Sequence, residues 1–218
     1  MNFWRLSKMK NKTIAFGIAI LSLMLTTMGC TPKNGKKTIQ RPNILLLMSD
    51  NQSAEHLGCY GDKSVKTPQI DRLAEKGVIF KNAYCAAPSC SPARASMLTG
   101  QDIWRLGEAA NLWSSFPRVE VFTQLLEASG YHVGIEGKGW GPGDETATGW
   151  TQNPGGKRYD SFENFYNESE KVKPWMYWYS SRDPHRPYRN EGWKNSGVVL
   201  DSIFVPPYLP DDIDIRKD

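Results

Sequence analysis

From residue 43 onward, short apolar runs alternate with amphipathic stretches. Residues 44–48 form a continuous apolar run that ends in Ser49-Asp50-Asn51, and residues 43–48 are read as a central strand buried on both faces. Residues 67–77 carry a threonine cap, Pro68 at the first helical position, apolar Ile70, Leu73 and Ala74, and a closing Gly77, which predicts a helix. A strand is expected over 78–84. Pro92 suits a helical first turn, residues 94–98 favour continuation and Gly100 is a natural stop, so a helix should start at Cys90. Residues 119–129 place Val121, Phe122, Leu125, Leu126 and Ala128 on an amphipathic helix ended by Gly130, and residues 131–136 form the next strand. Residues 144–166, rich in Gly, Thr, Asn and charge, have no period and read as a surface excursion. Residues 175–180 form an aromatic strand. This alternating order predicts an α/β fold with a mostly parallel central sheet flanked by helices.

The leader changes the picture of charge. Residues 1–29 contain Arg5, Lys8, Lys10 and Lys12 followed by an apolar run over 14–25. The run is short for a membrane span and reads as a signal peptide. Gly29-Cys30 and the polar residues after it resemble a bacterial lipoprotein cleavage site. Cys30 would then be lipidated, anchoring an exported protein at a membrane, in the periplasm or at the cell surface. The expected organisation is a signal peptide over 1–29, a polar tether over 30–41 and the folded region over 42–218. The four leader cations account for the whole formal net charge of +4. The mature chain is therefore near neutral, and nothing points to nucleic acid as a partner.

The residues able to do chemistry cluster at predicted element ends. Cys90 at a helix N-terminus meets orphan N–H donors and the positive end of the helix dipole, with Arg94 one turn along on the same face. That arrangement suits a substrate bearing an oxyanion. Asp50 and Asn51 follow a strand, where open α/β sheets place ligands, and their oxygens suit a hard cation such as calcium. Lys138 lies in a glycine-rich loop after the 131–136 strand, and His185 and Arg186 in a proline-flanked turn after the 175–180 strand. His56 reads as a surface or structural residue and His132 as packed. Cys59 and Cys85 could pair or remain buried thiols. No Cys-x-x-Cys pair or histidine cluster suggests zinc.

Cys90-Ser91-Pro92-Ala93-Arg94 followed by Met97-Leu98-Thr99-Gly100 resembles the signature of type I sulfatases. The resemblance implies an alkaline-phosphatase-like architecture. It also implies that a separate formylglycine-generating enzyme oxidises Cys90 to formylglycine, whose hydrated aldehyde attacks sulfur. Asp50, Asn51 and the residue at 90 would hold calcium, while Arg94, Lys138 and His185 neutralise sulfate oxygens or assist the leaving group. Asn51 departs from the family's second acidic residue, and Trp140 stands where a histidine is usual; Trp140 could stack on a sugar ring instead. Asp183-Pro184-His185-Arg186 resembles the heparan N-sulfatase branch, implying sulfated saccharide substrates such as N- or O-sulfated glucosamine, with Arg186 contacting an anionic sugar. Residues 201–212 resemble an interior loop of the family, so the chain is expected to be its N-terminal part, with further metal and sulfate ligands beyond it. Weak calcium binding, little turnover and an uncovered apolar sheet surface are the corresponding expectations. Phosphoester or phosphonate hydrolysis on the same fold, and a non-catalytic sulfoglycan-binding surface lipoprotein, are the rival readings.

Overall fold

The computed structural model describes residues 41–188 and 192–217; the leader, Cys30 and the tether to residue 40 lie outside them. Four strands form one sheet in the order β1-β4-β2-β3, with β1 Ile44–Met48, β2 His132–Gly137, β3 Lys157–Arg158 and β4 Trp175–Ser180. Every pairing is parallel: Ile44 lies beside Met176, and Val133 beside Met176 on the other flank. Parallel strands need crossover connections, and the helices supply them. They are α1 Pro68–Lys76, α2 Cys90–Thr99, α3 Phe122–Ala128, α4 Phe162–Glu168, α5 Gly192–Ser196 and α6 Ile213–Lys217.

Alternation along the strands sends residues to two faces. Val133, Ile135, Met176 and Trp178 join Ala95 and Leu98 of α2 in the main core, with Ile44, Leu46, Phe122 and Leu126 packed against it. The opposite face is covered by α4. There Phe165 lies 4.7 Å from the rings of His132 and Tyr177, and a side chain at Gly134 would collide with Phe165. Ser161 caps α4 by accepting from Asn164 N at 3.2 Å, as a serine at this position does.

Three expectations are corrected. Among the described residues the 43–48 strand, expected to be central and buried on both faces, lies at the edge of the sheet, with Leu45 and Leu47 54% and 59% exposed. The reason is positional: α4 packs over the β2–β4 half of its face and stops short of β1. Residues 78–84 form no strand, since no described segment offers them a ladder partner, and Val78, Phe80 and Tyr84 are exposed. Residues 144–166 are no surface excursion. Trp150 joins the core, residues 153–156 are buried, and β3 and most of α4 come from this stretch. Its order comes from side-chain bonds, because Asn153 accepts from Trp140 N and Gly155 N, both at 3.0 Å, and donates to Trp140 O at 3.0 Å. Hydrophobic periodicity cannot register such bonds.

Candidate active site

Because the strands are parallel, their carboxyl ends share one edge of the sheet, where ligands bind in open α/β folds. β1 leads to Asp50 and Asn51, β2 to Lys138, and β4 to the turn over 181–187. Backbone bonds tie these exits together: Ser181 N donates to Met48 O at 2.8 Å, Lys138 N to Ser180 O at 3.2 Å and Asp50 N to Asp183 O at 3.2 Å. Gly137 adopts φ 79, and a Cβ there would overlap the Ser180 carbonyl. Only glycine allows the chain to turn this close and deliver Lys138.

Helix α2 enters from the side. It begins at Cys90 after an extended Ser89 and ends on Gly100 at φ 65, as the motif leads one to expect. Cys90 Sγ lies 3.6 Å from Asp50 Oδ1 and 3.9 Å from Asn51 Oδ1. Asn51 has φ 63, a left-handed conformation that asparagine tolerates better than most residues. That backbone turn lets its amide reach Cys90.

Asp50 is the hub. It is 5% exposed, with Oδ2 receiving Lys138 Nζ at 2.5 Å and Oδ1 3.7 Å from Arg94 Nη2. Burial pushes its carboxyl up, but the Lys138 hydrogen bond and the Lys138 and Arg94 charges outweigh that and hold it below the ordinary carboxylate value. Arg94 is 4% exposed and donates to Gly139 O at 2.5 Å and Ser180 Oγ at 2.8 Å. Burial lowers its affinity for the proton, and the Asp50 charge opposes that; a guanidinium stays charged regardless. Arg94 therefore braces Asp50, anchored by Gly139 and Ser180.

The cavity in front of Asp50 measures about 1310 Å³ and is lined by Cys90, Lys138, His185 and Arg186 among others. His185 Nδ1 lies against the Arg186 carbonyl; since a carbonyl only accepts, that nitrogen carries the proton, and Nε2 is the acceptor of the neutral ring. The Arg186 guanidinium stacks 4.8 Å from the Tyr188 ring. Trp140 borders the cavity but is only 2% exposed. Its indole N–H is committed to Ser91 O at 3.1 Å and its ring meets Phe116 edge-on at 5.1 Å. It has no free face for a sugar; it props the first turn of α2 from below.

Asp50, Cys90 and His185 form a group whose candidate donor atoms all lie within 4.8 Å of one another. The Asp50 carboxylate and Asn51 amide oxygen are donors of the kind a hard divalent cation takes, and both point at the Cys90 end of the cavity. The donor chemistry fits such an ion. These two residues supply a minority of the six to eight oxygens calcium usually collects.

Other predicted residues fall away from the cavity. His56 pairs with Asp62 at 3.5 Å on the surface, and His132 packs between Tyr159 and Phe165. Cys59 and Cys85 are free thiols, half-buried and exposed respectively. Sequence reasoning missed several lining residues, among them Leu112, Trp113, Glu145, Arg158 and Arg182. Arg158 bonds the Gly137 carbonyl and, at 3.2 Å, the Lys138 carbonyl, clamping the loop that carries Lys138. It lies in a stretch without periodicity, so no local signal marks it.

Comparison with known proteins agrees with this geometry. The sulfatase family model matches residues 42–199, and the chain belongs to that family. Human arylsulfatase D is 39% identical over 142 residues, covering 60% of this chain and 23% of its own. An N-acetylglucosamine-6-O-sulfatase of Bacteroides thetaiotaomicron is 27% identical over an alignment covering 92% of this chain and 40% of its own length. Among solved structures, a protein in complex with its substrate D-glucosamine-2-N,6-O-disulfate superposes with a TM-score of 0.54 at 26% identity, over 68% of this chain and 36% of that one. The chain thus spans well under half the length of these relatives. The parallel sheet flanked by helices is the alkaline-phosphatase-like architecture of the family.

Proposed function

We propose that this chain carries the nucleophile-bearing part of a sulfatase that removes sulfate from sulfated sugars, as esters or sulfamates, with Cys90 as the residue converted to formylglycine. The carrying observation is the meeting of Cys90, Asp50, Lys138 and His185 around one cavity from three strand ends and a helix start. When formed, the hydrated formylglycine supplies one oxygen to attack sulfur and a second hydroxyl to release the sulfate. Asp50 and Asn51 would hold the divalent cation, calcium by the family resemblance, which neutralises sulfate charge beside residue 90. Lys138, at 16% side-chain exposure, presents an ammonium to negative charge that grows in the transition state, where fixed donors count most. His185, with Nδ1 occupied by its own backbone neighbour, has Nε2 for a proton exchanged with the leaving group. Arg94 acts through Asp50 by fixing its orientation.

Sulfated glucosamine units of glycosaminoglycans are the favoured substrates. The Asp183-to-Arg186 sequence supports that choice, as do the similar proteins whose names specify sulfated hexosamines. The leader and Cys30 support an exported, lipid-anchored protein. Metabolic labelling with a radioactive fatty acid tests the anchor, with loss of label expected in Cys30→Ala.

The central test is co-production with a formylglycine-generating enzyme. Mass spectrometry of the peptide containing Cys90 reads its oxidation, and released sulfate is measured from N-sulfo- and 6-O-sulfoglucosamine. Low but measurable turnover that disappears in Cys90→Ala is the expected result. Fully converted protein that binds these sugars without releasing sulfate would favour the sulfoglycan-binding reading, and faster hydrolysis of phosphoesters would favour the phosphatase-like one.

A further inference from the structure

A tryptophan that is both exposed and strained stands at the mouth of the cavity. Trp113 lines it beside Leu112, is 75% exposed and adopts φ 60. A bulky residue with positive φ is an outlier that persists only when its surroundings impose it. Here they do. Asp144 N donates to Ser114 O at 2.9 Å, Phe116 N donates to Asp144 O at 3.4 Å, and Ser115 and Asp144 form a parallel bridge. Ser114 Oγ closes the turn on Asn111 O at 2.8 Å. Two residues on, Phe116 is buried against Trp140 and Trp150. Gly143 lies so close beneath that a side chain there would overlap the Ser114 carbonyl. The turn is riveted on both sides of Trp113, yet the indole itself remains in solvent.

Burial does not explain this ring, because most of it is unburied. A ligand that shares the cavity with Lys138 and His185 does. Such a ligand needs an anionic group for the cations and a flat face of C–H bonds for the indole, since aromatic rings combine a large apolar face with low conformational cost. We propose that Trp113, with Leu112 beside it, is the platform on which the pyranose ring of the substrate lies while its sulfate sits at Lys138 and His185. The proposal rests on the sulfatase reading and makes Trp113 the specificity-determining contact to the sugar.

The positive φ supplies an unusually clean test. Glycine adopts φ 60 without penalty, so Trp113→Gly should leave the melting temperature unchanged or raise it. The same substitution should weaken binding of sulfated glucosamine about tenfold, the range of an aromatic contact. Calorimetric titration of the calcium-supplemented protein with glucosamine-6-sulfate and, separately, with inorganic sulfate reads both parts of the site. Sulfate affinity should stay at the wild-type value in Trp113→Gly, and Trp113→Phe should recover most of the sugar affinity. Unchanged sugar binding in Trp113→Gly overturns the platform, as does an equal loss of sulfate and sugar. If the wild-type protein takes up neither ligand, the sulfatase reading fails and the platform goes with it.

Discussion

Asp50 and Trp113 border the same cavity, yet one is 5% exposed and the other 75%. The floor is interlocked: Asp50, Arg94 and Lys138 satisfy one another, and Trp140 underpins Cys90's helix through Ser91. The rim is made of side chains whose backbones are fixed while their functional ends face solvent, as at Trp113. A floor of this kind couples chemistry to folding, because groups that would orient the sulfate also satisfy each other's buried charge. A rim of this kind leaves recognition free to vary at little cost to stability.

The strongest way to break the contrast is at its centre. Asp50→Ala leaves the buried Arg94 guanidinium without its carboxylate partner, and removing one member of a buried pair costs about 3–5 kcal/mol. Urea denaturation should show a loss of that size together with sulfatase turnover at background. A variant as stable as wild type would mean that the Asp50 and Arg94 charges are not coupled. One step down lies Trp140→Phe. It keeps an aromatic ring but deletes the indole donor to Ser91 O, a net hydrogen bond worth about 0.5–1.5 kcal/mol, and leaves part of the indole's space unfilled. If Trp140 is floor, stability falls with the affinity for sugar unchanged; if it touches the sugar, affinity falls instead.

Asn51 sharpens the comparison from the side of charge. Restoring an anion with Asn51→Asp adds a negative ligand beside Asp50 and Cys90, and cation affinity rises with the charge count of the ligands. We expect calcium to bind roughly tenfold tighter, about 1.4 kcal/mol, measured by calorimetric titration. Unchanged affinity would place the cation away from Asn51.

How far the residues alone reached follows the same division. The α2 start at Cys90, the stop at Gly100, and the strands over 131–136 and 175–180 follow from apolar runs and punctuation, and the structure places each within a residue or so. The Leu-rich continuity of the 43–48 run signals burial on two faces, whereas among the described residues the strand lies at the sheet edge with Leu45 and Leu47 exposed, a position that depends on neighbouring segments and that no residue of the run encodes. Arg94 was legible as a partner of Cys90 by helical spacing, but its turn inward to Gly139 and Ser180 depends on strands remote in sequence. The order of 150–156 hangs on Asn153, whose value lies in two bonds to the backbone of Trp140, thirteen residues away. Trp113 stayed invisible because its importance is a backbone angle and a location.

His132 provides the smallest effect and the control for the others, since it belongs to neither floor nor rim. Its ring stacks at 4.7 Å on Phe165. Tyr159 Oη already donates to Glu168 at 2.9 Å, so it receives the His132 Nε2 proton at 3.2 Å. Burial pushes the imidazole below its ordinary value of 6.5; Glu168 and Glu170 pull it up, while Lys157 and Lys173 push it further down. The unfolded chain then takes up a proton at higher pH than the folded one. Stability from this group is therefore fully present above about pH 6.5 and declines as pH falls through the unfolded value, until the folded ring protonates as well. Urea melts between pH 7.5 and 5 should show that decline, and His132→Phe should flatten it while leaving sugar and sulfate affinities at neutral pH untouched. An equally steep decline in His132→Phe would assign the acid sensitivity to other groups, such as the carboxylates around Asp50, and would tie folding back to the floor of the cavity.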